Sequence, residues 1–105
     1  MHIEISTDNN ISRSEGLTSH IKGLVQNALA HFGDQITRVE VHLSDANAGK
    51  TGPEDKHCLI EARLAGRKPT AVTHVAATID QAARGAADKL KHSLESTLGR
   101  LQDNH

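Results

Sequence analysis
The sequence predicts an α+β two-layer sandwich, in the order strand, helix, three strands, helix, with both helices on one face of a four-stranded sheet. Three observations carry this. Apolar residues recur at helical spacing in two segments, they alternate singly with polar residues elsewhere, and the last three alternating segments follow one another with no helical stretch between them. Strands in such a meander pair as antiparallel hairpins, and two amphipathic helices bury their apolar stripes most economically on one shared sheet face. The 105 residues fit one domain, 1–105, large enough to bury a modest core without disulfides or metal.

Ile3 and Ile5 alternate with His2, Glu4 and Ser6, a half-buried first strand that the polar run Thr7-Asp8-Asn9-Asn10 breaks. Ser12-Arg13-Ser14-Glu15 matches a capping box, in which a hydroxyl and a carboxylate satisfy backbone donors at a helix start. Leu17, Ile21, Leu24, Val25, Leu29 and Phe32 then follow at helical spacing. Gly33 is placed to cap that helix. From Ile36 the period changes to two: Val39, Val41 and Leu43 fall on one face, and Arg38, Glu40 and His42 on the other. Ser44 to Asp55 has two glycines, a proline and no periodicity, and reads as a long loop. Cys58, Ile60, Ala62 and Leu64 form the apolar face of a third strand, Gly66-Arg67-Lys68-Pro69 turns the chain, and Thr70 to Ala77 returns as a fourth. Thr78 can cap a final helix, on which Ile79, Ala83, Ala86, Leu90, Leu94 and Leu101 make the buried stripe.

Composition excludes more than it assigns. A formal net charge of −1 and a single cysteine describe a chain without an internal disulfide. Its start, Met1-His2-Ile3-Glu4, has no charged-then-apolar leader, and no apolar run approaches a membrane span, so the expectation is a cytoplasmic protein that uses no membrane. The eight histidines show no HExxH-like spacing, and Cys58 beside His57 lacks the partners of a closed zinc site. The glycines form neither a GxGxxG nor a Walker pattern, and no nucleophile elbow is present, so neither cofactor, metal nor catalytic residue is expected. With no tyrosine or tryptophan, and Phe32 on a buried face, a stacking platform for single-stranded nucleic acid is also missing.

The last helix holds the one arrangement that points to a ligand. Arg84, Asp88, Lys91 and Glu95 stack in alternating sign on its outer face and neutralise one another. Lys89, His92, Ser96 and Arg100 form a neighbouring row with no carboxylate among them. Such a row can face phosphates, because each cation placed against one releases a condensed counterion.

The stretches "IEISTDNNIS", "LAHFGDQITRVEVHLSD" and "DKLKHSL" resemble the bacterial ribosome hibernation factors, a family that includes the hibernation promoting factor and the ribosome-associated inhibitor and is also labelled sigma-54 modulation protein or ribosomal subunit interface protein. The resemblance implies a fold similar to double-stranded-RNA-binding domains. It implies a partner, the small ribosomal subunit and its ribosomal RNA, bound near the decoding region, and a role in silencing translation during starvation or stationary phase. A chain ending at His105 is similar to the short members, which lack a C-terminal dimerisation domain. Lys89 matches the family lysine, and His92 stands where an arginine is common. The family's basic run is replaced here by Glu95, Ser96, Thr97 and Leu98, its mid-helix basic position by Leu24 with Lys22 nearby, and its tyrosine near the start of the second helix by Asp80. The residues expected to meet RNA are Lys89, His92 and Arg100, with Lys22, Arg63, Arg67 and Lys68 as further phosphate contacts. The rival expectation is a protein-interaction module that kept the fold and lost RNA binding. Oligomeric state is left unassigned.

Overall fold
The computed structural model describes residues 1–8, 11, 14–45 and 56–103, with side chains described as far as Leu98. Its elements are β1 (His2–Thr7), α1 (Glu15–Leu29), a single 3-10 turn (Ala30–Phe32), β2 (Ile36–Asp45), β3 (Lys56–Leu64), β4 (Thr70–Ala76) and α2 (Ile79–Asp103). The four strands lie in one sheet in the order β1-β2-β3-β4.

The meander β2-β3-β4 is antiparallel, as its hairpin spacing predicts, with Val41 opposite Ile60 and Ile60 opposite Val72. β1 departs from it. It lies parallel to β2, Ile3 beside Val39 and Ile5 beside Val41, so the sheet is mixed. Parallel neighbours need a crossover, and α1 is that crossover. Alternation in β1 determines which face is buried and carries no information on direction.

The buried sheet face consists of Ile3, Ile5, Val39, Val41, Leu43, Cys58, Ile60 and Ala62. Both helices cover it and pack against each other, α1 toward β1 and α2 over β3 and β4. α1 contributes Ile21, Val25 and Leu29, and α2 contributes Leu90, Leu94 and Leu98 with Ala82, Ala83, Ala86 and Ala87. Of the expected α2 stripe, Ile79 is half-buried and the side chain of Leu101 lies outside the described residues.

The helix ends differ from expectation in two places. Ser14, with extended backbone, is the N-cap of α1, and its hydroxyl accepts from the Leu17 N–H at 3.1 Å. The expected capping serine, Ser12, lies outside the described residues. At the other end α1 tightens into the 3-10 turn instead of stopping at a left-handed glycine. Gly33 has φ −51 and donates to the Ala30 carbonyl, and the extra turn holds Phe32 in the core. Thr78 caps α2 as expected, its hydroxyl accepting from the Gln81 N–H at 3.1 Å. The long loop is shorter than its composition suggests, since β2 runs on through Asp45, and residues 46–55 lie outside the described residues. In the β3–β4 turn Gly66 has φ +71, a left-handed conformation that a Cβ would penalise by about 1–2 kcal/mol.

Candidate nucleic-acid interface
α2 and β4 run in opposite directions. Gly85 lies against the His74 ring so closely that a Cβ would collide with it. One turn later the Lys89 Nζ donates to the Thr73 carbonyl at 3.0 Å. Rising numbers on α2 therefore match falling numbers on β4, and the helix heads toward Thr70 and the β3–β4 turn. α2 has 25 residues and, at about 1.5 Å per residue, is roughly 37 Å long, whereas the seven residues of β4 span about 23 Å. Its last turns run past the sheet at the end where Arg67 and Lys68 are exposed.

That geometry sorts the expected phosphate ligands. Lys89, Arg67 and Lys68 share the β4 side of the molecule, and none of them makes an ion pair among the described residues. Lys89 spends one donor on a carbonyl, which leaves its charge uncompensated and two N–H groups free. His92 is on the same helix, with its Nδ1 3.6 Å from the Asp88 carboxylate, so part of any charge it gains is already answered. The side chain of Arg100 lies outside the described residues. Lys22 is elsewhere: it lines a groove beside β1, the opposite edge of the sheet. Arg63 projects from the open sheet face, its Nη2 3.6 Å from Glu61. Of the seven residues, three lie on the β4 side, His92 is on the same helix as Lys89, Lys22 and Arg63 lie apart, and the side chain of Arg100 is outside the described residues.

The open face is a lattice of opposite charges. Glu4, Glu40 and Glu61 stand in one row across three strands, with His2, Arg38 and Arg63 in the next. Arg38 joins them, its Nη2 2.6 Å from Glu4 and its Nε 3.4 Å from Glu40. This face neutralises itself and offers little to a polyanion.

Sequence reasoning missed a polar clasp between the helices. Asp80, in the first turn of α2, holds His20 Nε2 of α1 at 2.6 Å with one oxygen and Arg84 Nε at 2.7 Å with the other. The hydrogen bond from His20, then that from Arg84, keeps the Asp80 carboxyl below the usual carboxylate range. Asp80 and Arg84 are four apart, which spacing alone would flag, whereas His20 is 60 residues away and needed the fold. Cys58 fits its core reading: burial pushes its thiol up to about 12, far from nucleophile or ligand chemistry. Among the described residues no group of three or more His, Cys, Asp or Glu is placed to hold a metal, and no helix is long and apolar enough to cross a membrane.

A family profile described as sigma 54 modulation protein / S30EA ribosomal protein matches residues 3–102. Among solved structures, the N-terminal domain of Thermus thermophilus Protein Y superposes with a TM-score of 0.73 at 20% identity, covering 92% of this chain and 99% of that one. A ribosomal subunit interface protein from Coxiella burnetii gives 0.70 at 15% identity, over 94% and 99%. At these identities the likeness is one of fold, and it includes the four-stranded sheet and both helices. No curated protein matches the sequence. Matched over nearly its whole length, the chain belongs to the sigma 54 modulation protein / S30EA ribosomal protein family.

Proposed function
We propose that the protein is a non-enzymatic translation inhibitor that binds the small ribosomal subunit near its decoding region under starvation or stationary phase, through phosphates of ribosomal RNA. Family membership supports the ribosomal partner. The observation that carries the site is that Lys89, beside the middle of β4, and Arg67 and Lys68, in the turn before it, lie on the β4 side with no carboxylate paired to any of them among the described residues. Three cations along a helix flank and a hairpin tip fit a phosphate backbone. With no aromatic side chain among them, recognition rests on shape and charge rather than on base edges.

The test is co-sedimentation with purified small subunits over a salt series. Lys89→Gln removes the charge at an exposed position and leaves a shorter side chain that still carries N–H donors, so folding is preserved while a phosphate contact is lost. The expected result is weaker association and a slope of log affinity against log salt that is shallower by about 1. An unchanged slope takes Lys89 out of the site. A second reading, an interaction module without RNA binding, draws on the ion pairs that engage Arg38, Arg63, Arg84 and Lys56. No pelleting at low salt selects that reading.

A further inference from the structure
The two edges of the sheet are finished differently. On the β4 edge the Lys89 amine covers the Thr73 carbonyl, and α2 lies close enough to require glycine at position 85. On the β1 edge, strand parity identifies which backbone groups are left over. The Asp8 N–H donates to the Leu43 carbonyl at 3.0 Å, so even-numbered residues of β1 turn their backbone groups toward β2. Ile3, Ile5 and Thr7 turn theirs outward, where no further strand lies among the described residues. A cavity of about 460 Å³ follows this edge, walled by Ile3 to Ser6, by Thr18 and Lys22 of α1, and by Glu40 and His42. Its walls come from both faces of the sheet, so it wraps around the strand edge.

We propose that this groove accepts an extended polypeptide segment as a fifth strand beside β1, carrying a carboxylate on its helix-facing side opposite Lys22. Outward backbone groups supply the ladder and side-chain pockets on either side supply the selection, as in other strand-addition interfaces. The two sides of the groove differ in charge. On the helix side Lys22 is exposed and makes no ion pair or hydrogen bond among the described residues. On the open side Glu4 and Glu40 are already held by Arg38, so a neutral hydroxyl-bearing residue fits there best. Next to the buried Ile3 and Ile5, the other helix-facing positions of the incoming strand want apolar side chains. A second copy of this chain fits poorly, because two-fold pairing of β1 with β1 would bring both Lys22 ammonium groups to the same side of one seam.

The probe is a pair of capped seven-residue peptides, TVTETVT and TVTKTVT, which alternate threonine with the helix-facing positions and differ only in the central charge. Residue-resolved amide exchange on the whole protein is the readout. At saturating TVTETVT the Ile3 and Ile5 amides should slow by about tenfold, while those of Glu4 and Ser6, already bonded to β2, stay as they were. TVTKTVT should protect them less, and Lys22→Glu, at an exposed position, should reverse the rank of the two peptides. Failure of both peptides to protect Ile3 and Ile5 at millimolar concentration overturns the proposal. So does a preference that survives Lys22→Glu, which would place the peptide elsewhere. Protection that appears without peptide and grows with protein concentration would give the groove to a second copy, and the proposal would also fall.

Discussion

At position 85 two opposing effects of a methyl group can be weighed. Alanine in place of glycine inside a helix gains about 1 kcal/mol from propensity alone. Here the added carbon would meet the Cγ, Cδ2 and Nε2 of the His74 ring, so the ring or the helix must move, and overpacking of that kind costs about 1–3 kcal/mol. Gly85→Ala should therefore destabilise the wild-type background, and the same change in a His74→Ala background should stabilise it. Urea midpoints of the four proteins decide, and a stabilising Gly85→Ala beside an intact His74 would mean that the close approach is wrong. Asp80 carries a pH signature. Its folded carboxyl titrates below its unfolded value, so its stabilising effect is complete above about pH 4 and is lost as pH falls through the lower, folded value. The gap in stability between wild type and Asp80→Asn should be open at neutral pH and close in acid; a gap that widens in acid would contradict the clasp. Cys58 was legible from alternation alone, because one strand determines a strand face. The partners of Asp80 and Lys89 were not, since His20 and Thr73 reach them only after the helices settle on the sheet.

At the scale of elements, period was the reliable guide and ends were not. β2, β3, β4 and the inner face of α2 from Ala83 to Leu94 stand where alternation and helical spacing put them, because burial of one face is what those periods record. The start of α1 came out two residues late, at Ser14 instead of Ser12, since either serine satisfies the local requirement for a hydroxyl before the first turn. The end of α1 gave way to a 3-10 turn that buries Phe32, as its place in the apolar stripe led one to expect, while the change of helix type had no local signal. The face of α2 can be tested directly. Leu90 is fully buried and Glu95 exposed, so Leu90→Ala should cost about 2–5 kcal/mol and Glu95→Ala should stay within about 0.5 kcal/mol. Equal losses on thermal unfolding would mean that the helix is rotated on the sheet.

Over the whole molecule the net charge of −1 hides a division of labour. The open sheet face, with its rows of glutamate and arginine, is internally compensated, and the interhelical clasp absorbs Arg84. Among the described residues, Lys89, Arg67 and Lys68 are unpaired cations on the β4 side, Lys91 is another on α2, and Lys22 stands at the far edge. The candidate site was therefore half legible. Helical spacing brought Lys89 and His92 to one flank, and the turn residues Arg67 and Lys68 were visible as a hairpin tip. What one dimension withheld was that α2 runs toward that tip and that Lys22 sits across the sheet, whereas the alternation of β3 already turned Arg63 away from the apolar face.

The parallel setting of β1 has a consequence for the order in which the chain folds. β2, β3 and β4 meet through hairpins, whereas β1 meets β2 across 36 residues and only after α1 has carried the chain over the sheet. Closing the larger loop costs more entropy before any contact returns it, so the meander with α2 is expected to nucleate folding and β1 to dock late. Ile60→Val and Ile5→Val each remove one buried methylene, at a cost of about 1 kcal/mol. In stopped-flow chevrons the first should mainly slow folding and the second mainly speed unfolding; an Ile5→Val protein that refolds as slowly as Ile60→Val would place β1 in the nucleus instead. On a ribosome the same topology makes β1, which leaves the exit tunnel before the other three strands of this sheet, the last of the four to find its place.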